Sequence, residues 1–229
     1  MQRANPATLS PLLAALFPPG VVAAELRADA DPLSLPAEEM RYVEHALPKR
    51  QREFAAGRLC ARRAAAELGI IDLALPMNRD RRPCWPTALV GSITHTAGYC
   101  GAVIAERSRF RSIGVDAEVV GHVTEDVWPQ LFTPSEVAWL RARPRREQPR
   151  CAAAVFSAKE AFYKCQYDVT SRWFEFDEVA LELCFDRPDA GSFDVWLRTR
   201  VESLEDALPR AAGRFRFHDG LVLTGMTLS

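Results

Sequence analysis

The chain has 229 residues, 48% of them hydrophobic and 26% charged, and a formal net charge of −1. That length holds one large domain or two fused small ones, with enough apolar surface for a buried core. The near-neutral balance gives no global field toward nucleic acid or a membrane surface, and no apolar run approaches the ~18 residues of a spanning helix.

Taken in chain order, residues 1 to 48 read as an irregular lead-in. Leu12 to Phe17 and Val21-Val22-Ala23-Ala24 faintly imitate a signal peptide, but Pro18-Pro19-Gly20 interrupts the run and the charged start is only Arg3. The expectation is a short amphipathic helix ending at Pro18 and an edge strand over Val21 to Leu26. From Pro48 to Leu68 the apolar positions Phe54, Leu59, Cys60, Ala64 and Leu68 recur at helical spacing, and Gly69 sits where a helix stops. Pro76 to Pro86 is a basic loop bounded by prolines. Strands are expected at Leu89 to Ile93 and Tyr99 to Ala105, around a turn from Thr94 to Gly98, and again at Ser112 to Val120.

Glu125 to Phe132 and Pro134 to Arg143 read as helical, with Thr133 as N-cap of the second. After the charged break Pro144 to Pro149, a long helix spans Cys151 to Tyr167. Four strands close the chain, at Val179 to Phe185, Phe193 to Thr199, Gly213 to Phe217 and Leu221 to Met226. Helices and strands mix without βαβ alternation, so the fold class is α+β. Six cysteines form no CxxC pair and match no zinc spacing, which suggests buried thiols in a reducing cytoplasm.

Two segments carry the chemistry. In Gly114-Val115-Asp116-Ala117-Glu118, strand alternation turns Ile113, Val115 and Ala117 to one face and both acids to the other. Two like charges so close raise a proton affinity unless a cation compensates, and carboxylate oxygens suit a hard divalent ion. A solvated strand face would show the same pair. In Phe156-Ser157-Ala158-Lys159-Glu160-Ala161-Phe162-Tyr163-Lys164, Glu160 and Lys164 share a helix face. They sit in an apolar, aromatic stretch, which favours a functional face over a surface ion pair. Lys159 projects about 100° away, toward a substrate or solvent. Gly91-Ser92-Ile93-Thr94-His95 offers hydroxyls and a histidine between strands, and Arg50, Arg52, Arg58 and Arg62 line one helix; each alone is weak.

In this order, Lys49-Arg50-Gln51-Arg52-Glu53-Phe54, Gly57 to Arg62, Pro83-Cys84-Trp85-Pro86, Gly91 to His95, Gly114 to Glu118 and Phe156 to Lys164 resemble the 4′-phosphopantetheinyl transferases, specifically the branch that includes the enterobactin-synthetase component. The resemblance runs from about Lys49 to the C-terminus. It implies a cytoplasmic monomer of two similar α+β halves, with the coenzyme at their junction. The halves would be residues 1–121, including the lead-in, and 122–229, dividing near Gly121. It also implies transfer of 4′-phosphopantetheine from coenzyme A to a serine of an apo carrier protein (peptidyl, aryl or acyl), releasing adenosine 3′,5′-bisphosphate, with Mg²⁺ or Mn²⁺.

Residue by residue, the resemblance gives the metal to Asp116, Glu118 and Glu160, and the serine proton to Glu160 or a water it orients. Lys164 and Lys159 would face the pyrophosphate. Ser92, His95, Arg50 and Arg58 would hold the adenylate end. Relatives often carry a basic residue shortly before the PxWP element; here Met77 stands near that place, and Arg79 or Arg81 is the replacement. Trp173 and Phe174 would line a pantetheine channel or pack in the core. The basic rim Arg141 to Arg150, or the segment Val127 to Leu140, is a candidate carrier contact; a solvated loop would show the same basic rim. The rival readings are a metal-dependent phosphohydrolase and a non-catalytic carrier-binding scaffold.

Overall fold

The computed structural model describes residues 7–198, 201–205 and 212–228. Contacts divide the chain into two compact units, Met1–Arg109 and Phe110–Ser229. This boundary precedes the one expected near Gly121. The strand from Ser112 pairs along its length with a strand ending at Leu228, so backbone hydrogen bonds tie the acidic segment to the C-terminal unit.

In the first unit the elements are β1 (Thr8–Leu9), α1 (Pro11–Ala14), β2 (Val22–Leu26), α2 (Ala37–Met40), α3 (Pro48–Glu67), β3 (Leu89–Thr96) and β4 (Tyr99–Glu106). The antiparallel sheet has the order β1-β2-β4-β3, so β2 is interior rather than an edge. Ser10 caps α1 and Pro11 opens it, but the helix ends at Ala14 and continues only as turns to Phe17. Helix α3 begins on Pro48 and buries a small-residue stripe that includes Ala56, Cys60, Ala61 and Ala64. Small side chains let it lie close on β2 and β4. The β3–β4 hairpin closes on two residues, not five. Thr96 pairs with Tyr99, and Gly98 takes a left-handed conformation (φ 71°) that glycine adopts without a Cβ clash.

In the second unit the elements are β5 (Ser112–Val119), α4 (Trp128–Leu131), α5 (Pro134–Arg141), α6 (Gln148–Thr170), β6 (Val179–Arg187), β7 (Ala190–Leu197), α7 (Glu202–Glu205), β8 (Ala212–His218) and β9 (Leu221–Leu228). Thr199, the end of one expected strand, lies outside the described residues. The antiparallel order is β5-β9-β8-β7-β6. Thr133 caps α5 as expected, and Glu136 returns its carboxylate to the Thr133 N–H, completing a capping box. Helix α6 lies across β5 and β9. Gly114 makes that approach possible, because a Cβ there would collide with the Ala161 carbonyl oxygen. Phe162 of α6 joins Phe215, Val222, Met226 and Leu228 in the core. Each large apolar side chain so buried contributes about 2 kcal/mol.

Candidate active site

The chemistry-bearing side chains of the second unit lie where α6 covers β5. Alternation holds: Ile113, Val115 and Ala117 are fully buried on one face. The other face is not open to solvent. Gly114, Asp116 and Glu118 point toward α6, and Asp116 is 4% exposed. Its two oxygens are separately engaged. Lys164 Nζ donates to Oδ1 at 2.6 Å and to the Val115 carbonyl at 3.2 Å. Ser157 Oγ donates to Oδ2 at 2.8 Å.

Glu118 and Glu160 complete the group without a hydrogen-bonded or ion-paired partner for either carboxylate among the described residues. Burial pushes the Glu118 carboxyl up to about 7; the Asp116 charge pushes the same way, Lys164 opposes it, and Glu160 adds to it. Burial likewise raises Glu160, against Lys164 and with Asp116. These mutual effects put three carboxylates and one ammonium in a single electrostatic neighbourhood. Among the described residues no three metal-ligating side chains converge as a preformed cage. The donor set nevertheless fits a hard divalent cation. It is all carboxylate oxygen, two of the acids have no hydrogen-bonded or ion-paired partner among the described residues, and an ammonium already stands against the third.

Lys159 departs from the expectation of a pyrophosphate contact. It is 2% exposed, 2.7 Å from Glu136 Oε2, and donates to the Phe176 carbonyl at 2.7 Å. Its ammonium is built into the interior of this unit. Beside Glu160 a pocket of about 150 Å³ is walled by Phe162, Tyr163, Trp173, Phe174 and Phe176. The structure divides the two readings of Trp173-Phe174. Phe174 packs on Phe162 at 6% exposure, whereas Trp173 is 65% exposed and meets Tyr163 edge-on.

In the first unit, Arg50 Nη1 donates to His95 Nε2 at 3.0 Å. Arg58 lies within the electrostatic reach of Arg50 but is buried at 4% exposure. Its Nε donates to the Leu75 carbonyl and its guanidinium stacks on Phe54 at 4.1 Å. Burial pushes its pKa down to about 10, and its Nη2 has no hydrogen-bond partner. Ser92 is not brought to His95. Because β3 runs through Thr96, residues 92 and 95 face opposite sides, and Ser92 is buried. Arg79 and Arg81 are exposed on the loop, Arg81 at φ 68°. Trp85 of the PxWP element lies against Gly91, where a Cβ would meet its ring at 2.5 Å; the motif docks the basic loop on β3.

Sequence reasoning missed Ser157, Thr224 and Glu136 as parts of this arrangement. Ser157 stands inside the Phe156–Lys164 motif, one turn before Glu160, which was the available signal. Thr224 and Glu136 carried none.

A family model described as the 4′-phosphopantetheinyl transferase N-terminal domain matches residues 38–105, and one described as the 4′-phosphopantetheinyl transferase superfamily matches residues 112–208. The chain is 36% identical over 230 residues to 4′-phosphopantetheinyl transferase Svp of Streptomyces mobaraensis, covering 95% of this chain and 89% of that protein. It is 32% identical over 234 residues to 4′-phosphopantetheinyl transferase PptT of Mycobacterium tuberculosis, covering 96% and 100%. Enterobactin synthase component D of Salmonella typhi is 36% identical over 123 residues, covering 52% and 50%.

Proposed function

Because the chain belongs to the 4′-phosphopantetheinyl transferase superfamily, we propose how its own residues perform the family's reaction. The enzyme transfers 4′-phosphopantetheine from coenzyme A to a serine of an apo carrier protein. The serine oxygen forms a bond to the pantetheine-bearing phosphorus, the bond to the bridging pyrophosphate oxygen breaks, and adenosine 3′,5′-bisphosphate leaves.

The observation that carries the residue assignment is the gathering of Asp116, Glu118, Glu160 and Lys164 where α6 crosses β5. Asp116, Glu118 and Glu160 would hold Mg²⁺ or Mn²⁺, which when bound offsets charge on the pyrophosphate and its leaving oxygen. Glu160 takes the serine proton, directly or through a water it orients. Its raised proton affinity suits a base, and the Lys164 ammonium keeps that affinity from rising further. Lys164 supplies positive charge to the pyrophosphate. The aromatic pocket beside Glu160 suits the pantetheine arm, with Trp173 exposed at it.

For the nucleotide end, the Arg50 guanidinium and the His95 ring beside it are the accessible pair, and the unpartnered Arg58 Nη2 is a donor awaiting an acceptor. Arg79, exposed on its loop, takes the place that Met77 leaves without charge. A monomer acting on carriers in the cytoplasm is part of this proposal, and the six free thiols suit that reducing compartment; among the described residues no helix is long and apolar enough to cross a membrane. The exposed Arg145 and Arg146 remain the proposed carrier contact.

The test is intact-protein mass spectrometry of apo peptidyl, aryl and acyl carriers with coenzyme A and Mg²⁺, against an EDTA control. A metal-dependent gain of one phosphopantetheinyl group supports the assignment. Undiminished transfer by Glu160→Gln would overturn the role of Glu160.

A further inference from the structure

Ser157 is fully buried, yet its hydroxyl lies in no apolar setting. It is 2.8 Å from Asp116 Oδ2 and 2.9 Å from Thr224 Oγ1. Thr224 is the cross-strand partner of Asp116, is also fully buried, and its hydroxyl lies 2.9 Å from the Ser157 carbonyl.

Each hydroxyl has one proton to give. An ionised carboxylate only accepts, so the Ser157 proton goes to Asp116. The contact between the two hydroxyls is then donated by Thr224, which shares its proton between the Ser157 oxygen and the Ser157 carbonyl. The chain therefore runs Thr224 to Ser157 to Asp116, from β9 through α6 to β5. It ties Oδ2 to the protein, while Oδ1 lies 2.6 Å from the Lys164 ammonium.

We propose that Ser157, backed by Thr224, is a positioning residue for Asp116. It fixes the rotation of that carboxylate, and with it the affinity for the divalent ion. This rests on the proposed assignment of Asp116 as a ligand. Hydrogen bonds to ligating carboxylates commonly carry this function, and their loss weakens metal binding by about 10–100-fold. The alternative is that Ser157 merely fastens α6 to the sheet, in which case its loss would lower stability and leave metal affinity unchanged.

The experiment is electron paramagnetic resonance titration of free Mn²⁺ with saturating coenzyme A, on wild type, Ser157→Ala, Ser157→Cys and Thr224→Val. Coenzyme affinity is measured in parallel by calorimetry in EDTA. Ser157→Ala is expected to weaken Mn²⁺ binding by about 10-fold, with coenzyme affinity in EDTA unchanged. Ser157→Cys, a weaker donor of similar shape, should fall between it and wild type. Thr224→Val should lose less, because the bond to Asp116 survives. Should Ser157→Ala not fold, the ordering of wild type, Thr224→Val and Ser157→Cys gives the same reading. Unchanged Mn²⁺ affinity in folded Ser157 variants overturns the inference alone. A wild type that binds no Mn²⁺ with coenzyme A present overturns the metal assignment and the inference together.

Discussion

The Lys159 ammonium and the Glu136 carboxylate lie 2.7 Å apart with 2% and 5% of their side chains exposed. Glu136 also accepts from the Thr133 and Leu181 N–H groups, so one carboxylate joins the α5 cap, the start of β6 and the helix that bears Glu160. Removing one member of such a pair leaves a buried charge uncompensated, at about 3–5 kcal/mol. Lys159→Met should therefore lower unfolding free energy by that amount in urea. The folded fraction should retain coenzyme affinity by calorimetry, whereas a lysine on the pyrophosphate would weaken it strongly.

Lys164 stands against Oδ1 of Asp116, a carboxylate proposed to hold a cation. In the free enzyme, ammonium and metal then compete. Lys164→Met should raise Mn²⁺ affinity without coenzyme by about fivefold, matching the ~1 kcal/mol of a partly exposed ion pair. Transfer activity should fall. Unchanged affinity in the variant would mean that Lys164 does not guard this site.

Glu118 makes stability depend on pH when no metal is bound. Its carboxyl is raised from 4.5 to about 7 in the folded chain. The folded state thus holds a proton that the unfolded state has released, and stability falls as pH rises from 4.5 through about 7. In EDTA, Glu118→Gln should melt above wild type at about pH 8 and lose that advantage toward about pH 5. Mg²⁺ should raise the melting temperature of wild type more than that of the variant.

Gly114 sets the distance between α6 and β5. Gly114→Ala should cost about 1–3 kcal/mol of stability through overpacking. It should also reduce transfer beyond what the folded fraction explains, because Ser157 and Glu160 move away from Asp116. Normal activity per folded molecule would contradict this.

Much of the site was legible because it obeys short periods. Alternation along β5 placed Asp116 with Glu118, and four-residue spacing on α6 placed Glu160 with Lys164. What escaped depends on neighbours remote in sequence. Which side of Lys159 is buried is decided by an acid on another helix. The resemblance assigns Ser92 and His95 to one ligand, and Thr94–Gly98 reads as a turn; β3 instead runs to Thr96, which puts the two residues on opposite faces. Helix α1 stops at Ala14, short of Pro18, because the chain tightens there into i→i−3 bonds, Leu16 N–H to the Leu13 carbonyl and Phe17 N–H to the Ala14 carbonyl. Thr224 gave no sign because β9 is buried on both faces, so its sequence reads as an apolar run without a polar side.

The pairing of β5 with β9 also bears on how the second unit is made. These strands are about a hundred residues apart in sequence, whereas β8 and β9 are joined by a tight hairpin. Closing so long a loop costs entropy before any contact repays it, and non-local pairing slows folding. The strand that carries Asp116 and Glu118 is thus the first of its sheet to leave the ribosome and must wait for β9, its hydrogen-bonded neighbour among the described residues, until synthesis has passed Leu228. During that interval its apolar face and unpaired edge are open to other chains, so the acidic strand is where chaperone protection or aggregation would begin.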